Sequence, residues 1–485
     1  MMHVCVSVAE ATLGEVVKAI QSAQQMGADL AEVRFDRMER LPEDLSPLKN
    51  IDIPKIATLR SKTHGGEWDG GVEAKVRFLR RAIRAGFELI DIEDDSPLMQ
   101  TRNRELRGAD HIISHHDLIT TPSTSKIIEL MLHGSAVGGL PKGAFTVNTV
   151  TDLHNLVTAG KLLAMTNRRF ILLGMGELGE VTRLRHQRMG SYLTYASLNP
   201  GKETAPGQLD VATMKSMEKG IIVGIAGNPL DHSYSPAMHQ SAFAHLGIAG
   251  RYLRFPTAEN EVEMLMENMR DLEINGMNVT IPHKESIMEY LDKVDDAAQK
   301  VGAVNVVVNR EGRLIGRNTD VSGLAQAFQA AGADVEGKRS LIIGAGGAAR
   351  ACAAFLQGAG AALTITNRTH ARAEKMARDF SGHAVKLEEA KSGEFEVIVN
   401  CTPIGMEGFP SELPIAPEVF RPGQVVMDVI YNPEITPFLA EARARGAKTI
   451  LGKEMLIYQA MDAFEAWTGQ RPPYEVMDKA IRAEQ

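Results

Sequence analysis

The chain has 485 residues, too many for one ordinary domain, so several folded units are predicted. Hydrophobic residues make up 44% and charged residues 24%, which is typical of globular proteins with large cores and argues against disorder. The formal net charge of −8 argues against nucleic acid as the main partner, because phosphate binding requires a basic surface.

The cysteines and the amino terminus bear on location. Cys5, Cys352 and Cys401 lie far apart and form no CxxC pair, so we expect neither a disulfide framework nor a cysteine zinc site. The amino terminus lacks a cationic leader, and no apolar run approaches the ~18–20 residues needed to span a bilayer. We therefore expect a cytoplasmic protein with no membrane partner and no bound metal.

From the amino terminus to about Asp210, short β-rich runs alternate with amphipathic segments. Eight strands are predicted, at residues 3–8, 29–35, 55–60, 88–93, 111–116, 142–147, 169–174 and 192–197. Helical spacing of apolar residues occurs between them, at residues 13–26, 72–85, 125–132 and 151–165. Such alternation predicts a parallel sheet, and eight repeats predict a (β/α)₈ TIM barrel with its chemistry at the carboxyl ends of the strands.

Two features of the predicted barrel indicate chemistry. Lys142 lies on an apolar strand, where lysine is rare, and His115-His116-Asp117 end another strand. A buried amine near other cations can attack a ketone to form an iminium, and a nearby histidine can remove the activated α-proton and return it to a departing hydroxyl. Taken singly, a lysine that reaches the barrel rim and a histidine that caps the next loop are equally good alternatives.

A polar helical segment at residues 209–219 ends the barrel pattern, and a strand at residues 221–225 begins another αβ pattern, so we place a boundary near Lys219. In this second pattern, residues 227–239 combine turn residues with two serine hydroxyls before a helix, which is typical of a carboxylate cradle. Residues 278–285 and 316–320 bring further polar side chains to strand ends.

A third pattern begins near Gly337, where an apolar strand at residues 340–343 runs into a glycine loop and an alanine-rich helix. Gly344 permits the tight turn, Gly346 lets the backbone approach a pyrophosphate, and Ala349 is small enough for close helix packing. Strand, glycine loop and helix in this order predict a Rossmann domain that binds a dinucleotide at the helix amino terminus.

The next strand, at residues 362–366, ends in Asn367-Arg368-Thr369-His370-Ala371-Arg372. This stretch lacks the Asp or Glu that binds the ribose hydroxyl in an NAD site. Arg368 and Arg372 can instead clamp a 2′-phosphate, so NADP is the predicted cofactor. Two solvated arginines at a helix start are the alternative.

From about Gly220 to Glu484 the chain resembles shikimate dehydrogenase, through the runs at residues 227–239, 278–285, 303–305 and 316–320. The resemblance implies that Lys284 and Asp320 form the catalytic pair at the reacting oxygen; a surface ion pair is the alternative. It implies a substrate site of Ser233, Ser235, Thr280, Asn305, Tyr431 and Gln459. It also implies an NADP site of Gly344, Gly346, Gly347, Ala348, Asn367, Arg368, Thr369, Arg372 and Thr402.

From Val4 to about Asp210 the chain resembles type I 3-dehydroquinate dehydratase at many separate strand ends. By this resemblance Lys142 is the Schiff-base lysine and His116 the general acid and base. The substrate would contact Glu32, Arg34, Arg60, Arg183, Thr204 and Gln208, with Arg183 as the anchor of its carboxylate.

Three features depart from these families. His64 stands where relatives usually carry glutamate, Glu454 stands where many carry glycine, and the run around Lys142 is less apolar than usual. The first and third changes permit a weaker dehydratase.

Together the resemblances predict a bifunctional shikimate-pathway enzyme that dehydrates 3-dehydroquinate to 3-dehydroshikimate and reduces that product to shikimate with NADPH. The expected regions are a barrel at 1–215, a substrate-binding domain at 220–325, a Rossmann domain at 326–455 and helices at 456–485 that return to the substrate-binding domain. One alternative is a shikimate or quinate dehydrogenase with a degenerate barrel that is weakly active or inactive, which His64 favours. A ligand-sensing regulator is another, and the retained Lys142, His116, Lys284 and Asp320 argue against it.

Overall fold

A computed structural model describes residues 3–484. The chain divides into two compact units. One consists of Met1–Ile222 with Ala249–Ile274, and the other of Val223–Ile248 with Asn275–Gln485.

The first part of the chain alternates strands and helices, as its sequence pattern predicts. The strands are β1 (Val4–Val8), β2 (Leu30–Arg34), β3 (Lys55–Thr58), β4 (Leu89–Glu93), β5 (Asp110–Asp117), β6 (Leu140–Thr146), β7 (Ile171–Met175) and β8 (Thr194–Ala196). The helices are α1 (Leu13–Gln25), α2 (Ser46–Lys49), α3 (Val72–Arg84), α4 (Arg102–Glu105), α5 (Thr124–Ala136), α6 (Val150–Ala164), α7 (Glu180–Leu184) and α8 (Val211–Ser216). Capping boxes at Thr12 and Thr149 fix the starts of α1 and α6.

These eight strands form one parallel sheet in the order β7-β6-β5-β4-β3-β2-β1-β8. The predicted barrel is therefore confirmed, although β7 and β8 are not paired as a ladder and the barrel is nearly rather than fully closed. A backbone hydrogen bond of 2.7 Å, donated by Tyr192 to the Phe170 carbonyl, joins the segments that precede these two strands.

The strands bury an apolar layer below a polar one. In five of them an apolar residue is followed two positions later, on the same face, by a polar one, in the pairs Leu30/Glu32, Ile56/Thr58, Leu89/Asp91, Ile112/Ser114 and Leu140/Lys142. The apolar members belong to one cluster or pack against it. The polar members consequently lie towards the carboxyl ends, where a barrel carries its chemistry.

A mixed sheet follows in the order β10-β9-β11-β13-β14-β12. Its elements are β9 (Ile221–Gly227), α9 (Ser235–Leu246), β10 (Gly250–Pro256), α10 (Val262–Asp271), β11 (Gly276–Val279), β12 (Lys293–Val294), α11 (Asp296–Val301), β13 (Val306–Arg310), β14 (Arg313–Arg317) and α12 (Asp320–Ala330).

The third sheet is parallel and has the order β17-β16-β15-β18-β19-β20. Its elements are β15 (Arg339–Ile343), α13 (Gly347–Gly358), β16 (Ala362–Thr366), α14 (His370–Asp379), β17 (His383–Ala384), α15 (Leu387–Ala390), β18 (Val397–Asn400), β19 (Val425–Asp428), α16 (Pro437–Ala444) and β20 (Lys448–Ile450). Counted within the sheet, the order is 3-2-1-4-5-6, that of a dinucleotide-binding Rossmann fold. Two helices end the chain: α17 (Gly452–Thr468) packs on α12, and α18 (Tyr474–Glu484) packs on α9.

Candidate active sites

A cavity of about 360 Å³ opens at the carboxyl ends of the barrel strands. It brings together every side chain predicted for the dehydration site, namely Glu32, Arg34, Arg60, His116, Lys142, Arg183, Thr204 and Gln208. These residues are far apart in sequence, and they meet because all strand ends of a parallel barrel face one rim. His64 also lines the cavity, as do residues that the sequence did not single out: Ser7, Arg37, Leu118, Thr146, Met175 and Tyr195.

The Lys142 amine is enclosed within this site, with only 5% of the side chain exposed. Its Nζ lies 3.2 Å from Asp91 Oδ2, 3.5 Å from Glu32 Oε1 and 4.2 Å from the centre of the Tyr195 ring. The amine was expected among cations, but its direct partners are two carboxylates. Asp91 was not among the predicted site residues, although a carboxylate flanked by isoleucines on a strand is as unusual as Lys142 itself.

Asp91 binds three groups around the amine. Besides Lys142, it accepts a hydrogen bond of 2.6 Å from the Ser114 hydroxyl and pairs with Arg60 Nη2 at 2.9 Å. Arg60 Nη1 donates to the Ser114 hydroxyl at 2.7 Å, which closes the network. Burial alone would raise the pKa of Asp91, but the charges of Arg60 and Lys142 hold that pKa well below its usual value. Asp91 is therefore a permanent counter-charge.

The same two cations act on His116. Burial, together with the positive charges of Arg60 and Lys142, lowers the pKa of His116 well below its usual value. Its Nδ1 is buried and has no hydrogen-bond partner within residues 3–484. A neutral ring with a free nitrogen is what removal of a proton from substrate requires.

Glu32 and Arg34 are neighbours on β2. Glu32 accepts hydrogen bonds from the hydroxyls of Ser7 at 2.7 Å and Thr58 at 2.9 Å. Burial opposes its ionisation, yet Lys142 and Arg34 keep the pKa of Glu32 below its usual value. Arg34 donates two hydrogen bonds, of 2.9 and 2.8 Å, to Asp36, so it reaches the cavity with its charge already paired.

Arg183 is a buried cation whose charge is only weakly compensated by its neighbours. Its Nε has no hydrogen-bond partner in the described chain, and its Nη2 makes a hydrogen bond of 3.4 Å to the Pro206 carbonyl. Burial lowers the pKa of Arg183 to about 10. Such a guanidinium is prepared for a carboxylate. The adjacent loop is held by Gln208, whose Oε1 accepts hydrogen bonds from the amide and the hydroxyl of Thr204 at 2.7 and 3.1 Å.

A second predicted site lies in the other compact unit. Lys284 Nζ donates to Asp320 Oδ2 at 2.6 Å, and Asn305 Nδ2 donates to Asp320 Oδ1 at 2.8 Å. The same amide lies 3.4 Å from Gln459 Oε1 on α17 and 3.0 Å from the Thr319 hydroxyl. Four predicted residues therefore belong to one network, to which the structure adds Thr319.

The remaining predicted substrate contacts lie at helix and loop ends of this unit. The Ser233 hydroxyl accepts a hydrogen bond of 3.3 Å from the Ser235 amide at the start of α9. Thr280 follows β11, and its amide donates to the Ala226 carbonyl at 2.9 Å. Tyr431 has its ring centre 5.4 Å from that of Tyr234, a residue not predicted, and burial raises the pKa of Tyr431.

The glycine loop has the shape that a dinucleotide requires. Gly344 has a φ of +117°, and a Cβ there would lie 3.0 Å from the Cys401 carbonyl oxygen, so a side chain is excluded. A Cβ at Gly346 would meet nothing within 4 Å, which leaves its backbone open to a phosphate. A Cβ at Gly347 would lie 3.3 Å from Lys284 Cδ, so the loop adjoins the Lys284–Asp320 pair. Ala348 follows in the first turn of α13.

Thr402 and the segment after β16 complete the predicted cofactor site. Thr402 caps the end of β18, where its hydroxyl donates to Asn400 Oδ1 at 2.8 Å. Asn367 Nδ2 donates to the Thr369 carbonyl at 3.0 Å, which shapes the turn before α14. Arg368 and Arg372 are exposed, and neither guanidinium pairs with a carboxylate in the described part of the chain. Both are free for a phosphate, so the residues present fit NADP.

Two further observations concern the rest of the chain. Glu454, the second family departure, accepts a hydrogen bond of 2.9 Å from the Tyr474 hydroxyl and so ties α17 to α18. Within residues 3–484, no cluster of three or more His, Cys, Asp or Glu side chains is placed to hold a metal ion, and the helices are too short or too polar to cross a bilayer.

Comparison with known families divides the chain as the two sites do. Residues 4–219 match the model for type I 3-dehydroquinase. Residues 225–307 match the shikimate dehydrogenase substrate binding domain, residues 325–404 the shikimate/quinate 5-dehydrogenase family, and residues 452–482 the shikimate 5′-dehydrogenase C-terminal domain.

Individual relatives agree with this division. The chloroplastic bifunctional 3-dehydroquinate dehydratase/shikimate dehydrogenase of Arabidopsis thaliana is 30% identical over 98% of this chain and 83% of its own length. The NADP(+) shikimate dehydrogenase of Moorella thermoacetica is 43% identical over 54% of this chain and 92% of its own. The crystal structure of the Thermus thermophilus shikimate 5-dehydrogenase with NADP(H) and shikimate is 38% identical, with a TM-score of 0.52, and covers 55% of this chain and 100% of its own.

Proposed function

The chain belongs to the bifunctional 3-dehydroquinate dehydratase/shikimate dehydrogenase family, and from this premise we propose which of its residues perform each reaction. Its barrel dehydrates 3-dehydroquinate, and its second half reduces 3-dehydroshikimate to shikimate with NADPH. The alternative of an idle barrel is disfavoured, because the barrel cavity is lined by every side chain predicted for the dehydratase.

In the dehydratase, Lys142 attacks the substrate ketone and releases its oxygen as water, which leaves a protonated imine. The imine withdraws electrons from the neighbouring carbon, so that a proton there can be taken by the neutral His116. Loss of the hydroxyl on the next carbon forms the double bond, and water then frees the product. Arg183 holds the substrate carboxylate, while Glu32, Arg34 and Arg60 contact its polar rim.

The observation that carries this assignment is the enclosure of the Lys142 amine, 5% exposed, in a cavity that it shares with His116 and Arg183. A nucleophilic amine requires exclusion of water, a nearby base and an anchor for the ligand, and this cavity supplies all three.

In the dehydrogenase, NADPH supplies the hydride and Lys284 supplies the proton at the reacting oxygen. Asp320, at 2.6 Å from the amine, orients Lys284 and balances its charge. Asn305, Thr280 and Gln459 bind ring hydroxyls, and Ser233 and Ser235 bind the carboxylate, with Tyr431 at the edge of the site. The glycine loop from Gly344 to Ala348 with Thr402 holds the dinucleotide, while Asn367, Arg368, Thr369 and Arg372 surround its 2′-phosphate.

Borohydride reduction in the presence of 3-dehydroquinate tests the Schiff base directly. We expect a stable adduct on the peptide that contains Lys142, found by mass spectrometry, and none on Lys55, which is equally buried but bonded to backbone carbonyls at the opposite end of its strand. Lys142→Met should remove both the adduct and the dehydration, while 3-dehydroshikimate reduction continues. The exposed Lys126→Met is the matched control and should retain both activities.

The assignment is wrong if the adduct forms on another lysine, or if Lys142→Met dehydrates at the parental rate. Reduction of 3-dehydroshikimate by the same preparation shows that the variant is folded, so loss of dehydration alone can be attributed to the amine.

We also propose a cytoplasmic location and small-molecule partners only. The three free cysteines suit a reducing compartment, and the net charge of −8 disfavours nucleic acid. The domain limits given from the sequence, 1–215, 220–325, 326–455 and 456–485, remain part of this proposal.

A further inference from the structure

His64 occupies a position in the dehydration cavity that suits proton transfer. It ends a tight turn, Lys62–His64, that follows β3, and its side chain is 8% exposed. Its Nε2 lies 3.0 Å from Asp95 Oδ1, whereas its buried Nδ1 has no hydrogen-bond partner among residues 3–484. With Nε2–H donating to Asp95, the Nδ1 lone pair is left without a partner among the described residues.

The turn that carries His64 is fixed by its backbone. A Cβ at Gly66 would lie 2.1 Å from the Arg60 carbonyl oxygen, so the chain folds tightly back on the end of β3. The Ser61 amide donates to Glu93 Oε1 at 2.9 Å, which ties the turn to β4. These contacts hold the backbone of the turn from which the His64 side chain extends.

The ring of His64 faces that of His116, with a centre-to-centre distance of 6.2 Å and an angle of 85° between their planes. Both Nδ1 atoms are buried and unpaired within the described residues. No direct hydrogen bond between the rings is present in the described chain, so a proton would pass between them through a substrate hydroxyl or a water. Both histidines line the dehydration cavity, and each has one nitrogen without a hydrogen-bond partner among the described residues.

The charges around the two rings differ in sign. Arg60 and Lys142 disfavour a proton on His116. His64 instead contacts the Asp95 carboxylate, and the neighbouring Asp94 and His115 form their own pair at 3.0 Å. A positive charge on His64 would further disfavour one on His116. The Asp95 carboxylate, 3.0 Å from Nε2, is placed to stabilise the His64 ring while it carries a transferred proton.

We propose that His64, oriented by Asp95, is the general acid that delivers a proton to the departing hydroxyl, while His116 is the base that takes the proton from carbon. This inference rests on the proposed Schiff-base function. The C–H bond breaks and its proton passes to His116. It then moves to His64 Nδ1 through the bridging hydroxyl or a water. The C–O bond breaks, its oxygen takes the proton from His64 and leaves as water, and both rings return to their starting state.

His64→Gln separates these roles. We expect dehydration turnover to fall by about 100-fold, within the range for loss of a general acid, while the borohydride adduct on Lys142 still forms. In deuterated water, His116 should continue to exchange the α-hydrogen of unreacted substrate, so that the ratio of exchange to elimination rises at least ~10-fold. If the parent protein itself formed no adduct on Lys142, the Schiff-base function would be contradicted instead. Failure of the His64 proposal and failure of the Schiff-base proposal can therefore be distinguished.

Asp95 provides the second measurement, because its carboxylate is 68% exposed and its replacement leaves the core intact. Asp95→Asn should lower turnover about 10-fold, and Asp94→Asn, the matched control one residue away, should change it less than ~2-fold. His64→Glu places a carboxyl where relatives have one, so its dehydration turnover should lie within ~10-fold of the parent. In the His64→Glu protein, Asp95→Asn should no longer change turnover.

The proposal is overturned if His64→Gln turns over within ~3-fold of the parent, or if its ratio of exchange to elimination is unchanged. It is also overturned if Asp95→Asn costs the same in the His64→Glu protein as in the parent, since Asp95 would then act on the fold rather than through His64.

Discussion

The two lysines at the centres of the two sites differ in enclosure and in the number of their counter-charges. Lys142 is 5% exposed and lies between two carboxylates and the Tyr195 ring. Lys284 is 18% exposed and has a single short contact with Asp320. Lys142 thus lies deep in a cavity with room for a covalently bound substrate, whereas Lys284 is more exposed and lies beside the glycine loop of the predicted cofactor site. In the proposed mechanism, the same residue type serves as nucleophile in one site and as proton donor in the other because its surroundings differ.

The largest effect is expected when the amine of Lys142 is replaced by a guanidinium. Lys142→Arg keeps the charge opposite Asp91 but removes the nucleophilic nitrogen, so dehydration should fall by at least ~10⁴-fold. Reduction of 3-dehydroshikimate should be unchanged, as measured by NADPH absorbance. Residual dehydration above one per cent of the parental rate would mean that the positive charge, not the covalent bond, is what this lysine contributes.

A smaller loss of activity is expected when Lys284 is replaced, because in the proposed mechanism it forms no covalent bond to substrate. Lys284→Met should lower reduction by about 10²- to 10⁴-fold, the range for an acid–base group, and Lys284→Arg should retain more activity since it still donates to the oxygen. Dehydration in the same preparations is the internal reference. Lys300→Met, an exposed lysine on α11, is the matched control. Equal rates for the Arg and Met variants would contradict a proton-donating role.

Replacement of exposed charged residues at the predicted NADP site should have weaker, salt-dependent effects on reduction. Arg368→Ser should raise the KM for NADPH about 10-fold, the loss of one charge-assisted hydrogen bond, and should leave the KM for NADH unchanged. The increase in the KM for NADPH caused by Arg368→Ser should become smaller as ionic strength rises. Arg378→Ser, farther along α14, serves as the control. An equal change for both cofactors would show that Arg368 does not contact the 2′-phosphate.

The mildest prediction concerns pH. Because the pKa of His116 is lowered, its ring stays neutral as pH falls from 7.5 to about 6 and loses its function as a base only when pH falls through the lowered value. The kcat/KM for dehydration should therefore change less than ~2-fold across that interval. Titration of the His116 ring by NMR gives the pKa directly. An acidic limb centred at or above ~6.5 would contradict the influence of Arg60 and Lys142.

Much of this architecture was predictable because the informative patterns are local. Strand–helix alternation gave all eight barrel strands, and the strand–glycine loop–helix order gave the Rossmann sheet. Lys142 was singled out by its place on an apolar strand, and Lys284 by the resemblance of its short segment to shikimate dehydrogenase. In each case the property lies in one short segment, where periodicity or a special residue reports it.

What escaped prediction depends on contacts between distant segments. The pairing of Lys142 with Asp91 joins β6 to β4, and Thr319 completes a network that includes Gln459 on α17. The placement of Ala249–Ile274 with the barrel unit likewise follows no local pattern. The role of Asp91 could nevertheless have been predicted from the sequence. Leu89, Asp91 and Glu93 lie on one face of β4, and two buried acids there require positively charged or hydrogen-bonding partners.

The three-way contact of Asp91 has a consequence for the energetics of the covalent step. An ammonium and a ketone become a protonated imine and water, so the group next to Asp91 carries one positive charge both before and after the bond forms. The carboxylate therefore faces the same charge before and after the step, and Arg60 and Ser114 can keep the same places in both states. Little reorganisation energy is spent on moving dipoles, because the pocket is prepared for the intermediate before substrate arrives.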